Sequence, residues 1–250
     1  MNVGKIYDYI DSIAPFSAQE EWDNSGLQVG SRTQDVKKVL IGLDATASLV
    51  EEAKKKGCDL IISHHPFIFN AVKSFVEPSP AFMAAKYNIS VISAHTSFDC
   101  AVGGVNDVLA ELVGVYNTKL SENKLFRIGK TDCKTVRDFA LTVKNALNAD
   151  VFCSLPEKEI KNVAVCSGSA AEYIETAKNE GADAFLTGEV KHHEILDACD
   201  SDIQSFAQGT LKQRSLQCVS FRKSLKSSSP KLNLLFLRKP HRFTVFKEKG

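Results

Sequence analysis

The seven residues Asp59-Leu-Ile-Ile-Ser-His-His65 decide the fold that the sequence predicts. An apolar run this short is typical of a strand that is buried on both faces, as in a parallel sheet covered by helices. Similar runs occupy Val36–Asp44 and Ser90–Ala94, and helical patterns at Ser48–Lys56 and Pro80–Tyr87 separate the three strands. This alternation predicts an α/β fold with mostly parallel sheets.

Side chains that can bind metals stand near the ends of two of these strands. His64 and His65 close the first run, and Asp99 follows the run that ends at Ala94. Ligands of parallel α/β sheets bind beyond the carboxyl ends of the strands. Imidazole and carboxylate together suit zinc, iron, manganese or nickel rather than calcium. The sequence therefore predicts a divalent-metal site, and the alternative is a pair of histidines that are only hydrogen-bonded at a strand end.

The two histidines raise the question of how many ions the site holds. Adjacent side chains on an extended strand point to opposite sides. We therefore expect His64 and His65 to hold two different ions, with Asp99 bridging them through its two oxygens. Such a pair of ions can lower the pKa of a bridging water and stabilise a developing oxyanion.

Composition narrows the classes of protein that need to be considered. The chain has 250 residues, 44% of them hydrophobic, which is enough for one large or two modest globular domains. It contains no apolar stretch long enough to span a membrane, and no signal-peptide pattern, so we expect a cytoplasmic protein. Its seven cysteines form no Cys-x-x-Cys pair, which argues against a disulfide framework and a thiolate zinc site. The basic groups offer no aromatic-interleaved surface, so we do not expect a nucleic-acid partner.

Five separated motifs resemble those of a known family. They are Glu21-Trp-Asp-Asn-Ser-Gly-Leu27, Ser63-His-His-Pro-Phe-Ile-Phe69, Ala94-His-Thr-Ser-Phe-Asp99, Gly103-Gly-Val-Asn-Asp107 and Ala182-Asp-Ala-Phe-Leu-Thr-Gly-Glu-Val-Lys-His-His193. In this order they resemble the GTP cyclohydrolase I type 2 homologues, also called the Ngg-interacting-factor-like family. The resemblance covers about residues 1–202. It implies two interleaved α/β domains, assembled as a toroidal homohexamer.

The resemblance also implies a domain organisation. Residues 1–120 would form the domain that carries the metal site, and residues 121–202 would form a second, smaller domain. The chain would return to the first domain over residues 203–250.

The resemblance implies a site and a function as well. In that family two adjacent histidines and an aspartate hold a pair of divalent ions, and these ligands match His64, His65 and Asp99. The implied activity is hydrolysis of a nucleotide or another small molecule by a metal-activated water. The sequence identifies no general acid. The alternatives are a ring-forming metal-binding protein without turnover, with a role in metal delivery or regulation, or a defective member of the family.

The last motif of the family is altered in this chain. Its remaining ligands come from Gly-His-x-x-Thr-Glu, whereas this chain has Gly209-Thr-Leu-Lys-Gln-Arg214. Thr210 stands where the histidine belongs, and threonine is a poor neutral ligand. Arg214 stands where the glutamate belongs, and its permanent positive charge prevents metal binding.

The composition of the tail changes at the same place. Residues 203–250 carry eleven Lys and Arg against one acidic residue, whereas residues 1–202 carry twenty against twenty-nine. One hypothesis is a reading-frame slip between about Gln204 and Gln208. The alternative is a diverged native tail, with a helix over Leu216–Leu225 and a strand over Leu232–Leu237.

Several polar residues are weaker candidates for the site: His95, Asp23, Asn24, Glu189, His192, His193 and the turn 163–169. His95 could steer Asp99, bind substrate or be structural. Asp23 and Asn24 are expected to brace a turn beside the site, since both residue types bond local backbone. Glu189 and the two histidines after it are more typical of a polar helix start. The turn offers only a weak phosphate-binding signal.

Overall fold

The structure, a computed structural model, describes residues 1–153, 156–200, 203–208 and 233–236. The helices are α1 (Val3–Ile13), α2 (Ala47–Lys56), α3 (Pro80–Lys86), α4 (Thr96–Cys100), α5 (Val105–Leu112), α6 (Val136–Leu147), α7 (Ile174–Asn179) and α8 (His192–Asp200), with short 3₁₀ helices at Phe16–Ala18 and Ala171–Tyr173. The strands are β1 (Gly26–Val29), β2 (Lys38–Asp44), β3 (Leu60–His65), β4 (Ser90–Ser93), β5 (Tyr116–Leu120), β6 (Arg127–Lys130), β7 (Val151–Cys153), β8 (Asn162–Val165), β9 (Ala184–Thr187), β10 (Gln204–Gln208) and β11 (Asn233–Phe236). None of the described helices is both long and apolar enough to cross a membrane.

The first sheet contains the three strands that the sequence predicts as buried. Its order is β1-β4-β3-β2-β11, with β4, β3, β2 and β11 parallel and β1 antiparallel at one edge. Ile41, Ile62 and Ile92 lie side by side in the register and are completely buried. The continuous apolar runs therefore predict this part of the fold correctly.

Helices cover both faces of the first sheet because successive strand residues point to opposite sides. Ile62 packs on the face covered by α1 and α4, where Ile6 and Phe98 are buried. Its neighbour Ile61 packs on the opposite face, where α2 supplies Leu49 and α3 supplies Met83. The layered arrangement confirms the predicted α/β class.

The second sheet departs from the expectation of mostly parallel strands. Its order is β5-β6-β8-β9-β10-β7, in which only β8, β9 and β10 run parallel. β5, β6 and β7 each pair antiparallel with a neighbour. Only residues 121–126 separate β5 from β6, which is too short for the crossover that parallel neighbours need. The predicted strands in this region gave no indication of that hairpin.

The described part of the tail contributes one strand to each sheet. β10 extends the second sheet beside β9, and β11 pairs parallel with β2 in the first sheet. β11 lies within the strand predicted over Leu232–Leu237. Thr210, Arg214 and the helix predicted over Leu216–Leu225 lie outside the described residues.

Candidate metal centre

Three imidazole rings converge at the carboxyl end of the first sheet. His64 and His65 are the last two residues of β3, and His95 directly precedes α4. One nitrogen from each ring lies within 4.8 Å of the other two, and the ring centroids are 4.9 to 5.3 Å apart. His64 is buried, while the other two rings are partly accessible. This group of histidines could hold a metal ion.

The rings of His64 and His65 lie close together at the end of β3, although adjacent side chains of a strand point to opposite sides. Their ring centroids are 4.9 Å apart. β3 ends at His65, so both rings can lean over the end of the sheet instead of facing its two sides. The Ser63 hydroxyl also donates a hydrogen bond to the carbonyl oxygen of His65 at 3.0 Å, which holds the backbone at this end. Two ions are therefore not required to engage both residues.

Two carboxylates fix the orientation of the outer rings. The Nδ1 atom of His65 lies 2.7 Å from Asp44 Oδ1, on the neighbouring strand β2. The Nδ1 atom of His95 lies 3.0 Å from Asp23 Oδ1. An ionised carboxylate only accepts hydrogen bonds, so in each pair Nδ1 is the donor and Nε2 is the ring nitrogen left to face a metal. This carboxylate–histidine pairing is the usual support of a metal-binding imidazole.

Asp23 is the centre of a dense hydrogen-bond network. Its Oδ1 accepts from His95 Nδ1 and from the Asn24 N–H, and its Oδ2 accepts from the Thr96 N–H, the Thr96 hydroxyl and the Ser25 hydroxyl. Burial of the side chain raises the pKa of Asp23, but the hydrogen bonds from His95 and Thr96 outweigh it and lower that pKa well below its usual range. Asp23 is therefore ionised at neutral pH and braces the turn beside the histidines.

Asp99 joins the same cluster from a helix rather than from a strand end. It lies in the single-turn helix α4, and its Oδ2 is 3.7 Å from His64 Nε2. Two ligands of one tetrahedral zinc ion would lie about 3.4 Å apart, given bonds of about 2.0 to 2.1 Å. The other oxygen, Oδ1, accepts a hydrogen bond from Ser167 at 3.1 Å. Imidazole and carboxylate are donors that suit a divalent transition-metal ion, and Asp99 offers its carboxylate on the His64 side of the three rings.

An exposed pair of aromatic rings borders the cluster. Trp22 and Phe69 stack with centroids 6.4 Å apart, and each meets His95 edge-on at 5.7 Å. Both rings are largely accessible, with 60% of Trp22 and 43% of Phe69 exposed. The Asn24 side-chain amide donates to the carbonyl oxygen of Ile68 at 2.6 Å, which ties the two loops together. No local sequence pattern predicts this pair, because the contact of the two rings depends on how two distant loops meet.

Three weaker candidates are not part of this cluster. Glu189, His192 and His193 are exposed, at the start of α8 and in the turn before it. Among the described residues, the only group of three or more potential ligand side chains close enough to share an ion consists of His64, His65 and His95.

The chain is similar to a known protein family over most of its length. The sequence profile of Duf34/NIF3 (NGG1p interacting factor 3) matches residues 1–240. The chain belongs to the DUF34/NIF3 family. This confirms the family that the five motifs indicate. The match continues beyond residue 202, so the resemblance extends further than those motifs predict and includes the segment with Thr210 and Arg214.

Individual DUF34/NIF3 relatives match most of the chain. A Campylobacter jejuni protein named GTP cyclohydrolase 1 type 2 homolog is 30% identical over 233 residues, which cover 91% of this chain and 93% of that protein. A Clostridium perfringens protein of the same name is 31% identical, with 79% and 80% covered. The crystal structure of a Staphylococcus aureus hypothetical protein superposes with a TM-score of 0.85 at 26% identity and covers 98% of this chain and 99% of that one. The mixed α/β fold of this chain, with its two sheets, therefore matches the fold of a solved relative.

Proposed function

We propose that this protein binds a pair of divalent metal ions and hydrolyses a small-molecule substrate by means of a metal-activated water. The observation that carries the proposal is the convergence of three imidazole nitrogens within 4.8 Å, with the Asp99 carboxylate 3.7 Å from His64. His64, His65 and Asp99 would be ligands, and His95 offers a further nitrogen. When bound, the ions would supply Lewis acidity that lowers the pKa of water and polarises the substrate bond.

The roles of the surrounding residues follow from their hydrogen bonds. Asp44 holds His65 and Asp23 holds His95 in the tautomer that leaves Nε2 able to bind a metal. Because both carboxylates are anchored to the first sheet and its loops, the rings are oriented before an ion arrives. Pre-oriented ligands lose less conformational entropy on binding than mobile ones.

The aromatic pair supports a planar substrate, such as a nucleotide. Trp22 and Phe69 are largely exposed beside His95, and stacking of a base on an aromatic ring contributes about 1 to 3 kcal/mol. The name of the Campylobacter jejuni relative, a homologue of GTP cyclohydrolase, agrees with that class. We further propose that the chain assembles as a homohexamer, on the resemblance alone.

A second candidate is a metal-binding protein without turnover. It is favoured by the residues Thr210 and Arg214, which replace two of the five ligands that the resemblance implies. Loss of ligands lowers metal affinity, because affinity depends on the number and geometry of donors. If the reading frame slips before Thr210, the native chain would carry both ligands. The coding DNA decides this: a frame that reads His-x-x-Thr-Glu near codon 210 supports the slip, and its absence refutes it.

Metal content and turnover, measured together, separate the candidates. The chain is loaded with Zn²⁺, Mn²⁺ or Fe²⁺, the bound metal per subunit is determined, and GTP hydrolysis is followed. Two ions with turnover support the hydrolase, whereas bound metal without turnover supports the second candidate. His64→Ala should abolish binding, while His193→Ala, an exposed histidine on α8, serves as the matched control. Unchanged metal content in His64→Ala would refute the site.

A further inference from the structure

The carboxylate of Asp99 is held by a side chain from the second sheet. Ser167 lies in the turn that follows β8, and its hydroxyl donates a hydrogen bond to Asp99 Oδ1 at 3.1 Å. The other oxygen of the same carboxylate, Oδ2, lies 3.7 Å from His64 Nε2. The two oxygens therefore have different surroundings, one beside a histidine of the first sheet and one bonded to the second.

Ser167 is itself fixed by its neighbours. It is buried, and its N–H donates to Asn106 Oδ1 at 2.7 Å. Asn106, on α5, is completely buried and donates in turn to the carbonyl oxygen of Leu125 at 2.9 Å. The carbonyl oxygen of Gly168 accepts from the Thr187 hydroxyl at the end of β9. A turn held on both sides in this way places the Ser167 hydroxyl in one position.

The backbone that follows Asp99 is held by the same sheet. Arg127, on β6, is buried and donates through Nη2 to the carbonyl oxygens of Cys100 and Ala101, at 2.9 and 3.1 Å. It also pairs with the carboxylate of Asp107, whose Oδ2 accepts from the N–H of Gly103. The Asp99 side chain and the backbone that follows it are thus both anchored to the second sheet, although His64 and His65 lie on the first sheet.

We propose that Ser167 is a positioning residue for the metal site, acting through Asp99. This inference rests on the proposed function, in which Asp99 is a metal ligand. The hydrogen bond from Ser167 to Oδ1 favours the side-chain rotamer of Asp99 in which Oδ2 lies toward His64. Partners that hold a metal ligand in this way are typically worth about 10- to 100-fold in metal affinity. The second sheet therefore contributes to a metal site whose histidines lie on the first.

The test is the Zn²⁺ dissociation constant of the full chain, measured by competition with a chelating dye. Ser167→Ala should weaken Zn²⁺ binding about 10- to 100-fold, and Ser167→Thr, which keeps the hydroxyl, should restore most of it. Ser169→Ala, an exposed serine in the same turn, is the matched control and should bind as the unaltered chain does. Wild-type affinity in Ser167→Ala, or an equal loss in the control, would overturn the proposal.

A double-mutant comparison separates a positioning role from a general structural one. If Ser167 acts through Asp99, adding Ser167→Ala to Asp99→Ala should cause no further loss of Zn²⁺ affinity. Additive losses would show that Ser167 acts by another route and would overturn the proposal. The visible spectrum of bound Co²⁺, which reports coordination, should change in Ser167→Ala and recover in Ser167→Thr. If Asp99→Ala binds Zn²⁺ normally, the ligand assignment fails, and the positioning role fails with it.

Discussion

Asp23→Asn is the substitution that tests the support of the histidine cluster most sharply. Asp23 accepts five hydrogen bonds, and asparagine has the same shape but one oxygen fewer. The least harmful orientation would turn the new amide nitrogen toward His95 and Asn24, because the imidazole can accept a hydrogen bond in its other tautomer. The bonds from Thr96 and Ser25 would then survive without the charge of a carboxylate.

The expected loss of stability follows from that orientation. The Asn24 N–H would face another donor, which costs about 1 to 3 kcal/mol, and the loss of charge from the surviving bonds would add about 1 kcal/mol. We expect the free energy of unfolding to fall by about 2 to 4 kcal/mol at pH 7. The other tautomer would also put a proton on His95 Nε2, so Zn²⁺ affinity should fall.

The pH dependence of the free energy of unfolding tests the same role of Asp23 in a second way. Because hydrogen bonds from His95 and Thr96 lower the pKa of folded Asp23 despite its burial, its ionised form stabilises the protein above the unfolded-state pKa of about 3.9. That stabilisation is lost as the pH falls below this value toward the lower folded pKa. At pH 3 the unaltered chain has lost about 1 kcal/mol of this stabilisation, whereas Asp23→Asn has no such carboxylate and loses none. The difference in free energy of unfolding between the two proteins should therefore be about 1 kcal/mol smaller at pH 3 than at pH 7.

The assay is urea denaturation of the metal-free proteins, followed by circular dichroism at pH 7 and pH 3. Asp35→Asn is the matched control, because Asp35 is exposed and its substitution should change stability by less than about 0.5 kcal/mol. An equally small effect of Asp23→Asn, or a difference that widens at pH 3, would refute the reasoning about this network.

Three further predictions concern the site and the core. Asp44→Ala should weaken Zn²⁺ binding about 10- to 100-fold, as calorimetric titration would show, because it removes the acceptor that holds His65; unchanged affinity would contradict that role. Phe185 is completely buried and meets Phe126 edge-on at 5.7 Å, so Phe185→Ala should lower the free energy of unfolding by about 3 to 5 kcal/mol in urea denaturation. A loss below about 1 kcal/mol would contradict the packing of Phe185 in this core. Trp22 is the only tryptophan and lies 5.7 Å from His95, so Co²⁺ should quench the tryptophan fluorescence of the chain but not that of His64→Ala; equal quenching in both would place the ion elsewhere.

The sequence predicts best where burial is continuous along the chain. β2, β3 and β4 are apolar runs between helices, and they form the centre of the first sheet. The sequence does not predict β5 as a strand, because all five of its residues are exposed and it carries no apolar pattern. β1 and β7 are short and carry no continuous buried run, so their pairing depends on neighbours that a local pattern does not identify.

The sequence predicts only those residues of the site that lie at the ends of predicted strands. The ends of predicted strands mark the positions of His64 and His65, and Asp44 ends a predicted strand too. The sequence does not predict the contact of Asp44 with His65, because it does not show which strands are neighbours. The sequence does not predict the contact of Ser167 with Asp99 either, because that contact depends on how the two sheets are placed against each other.

Anomalous X-ray diffraction from crystals of the full chain grown with Zn²⁺ tests the central claim most directly. The account predicts an anomalous peak within about 2.0 to 2.2 Å of both His64 Nε2 and Asp99 Oδ2, the bond lengths of zinc to nitrogen and oxygen ligands. A peak found only beside the exposed residues His192 and His193, with none between His64 and Asp99, would contradict it.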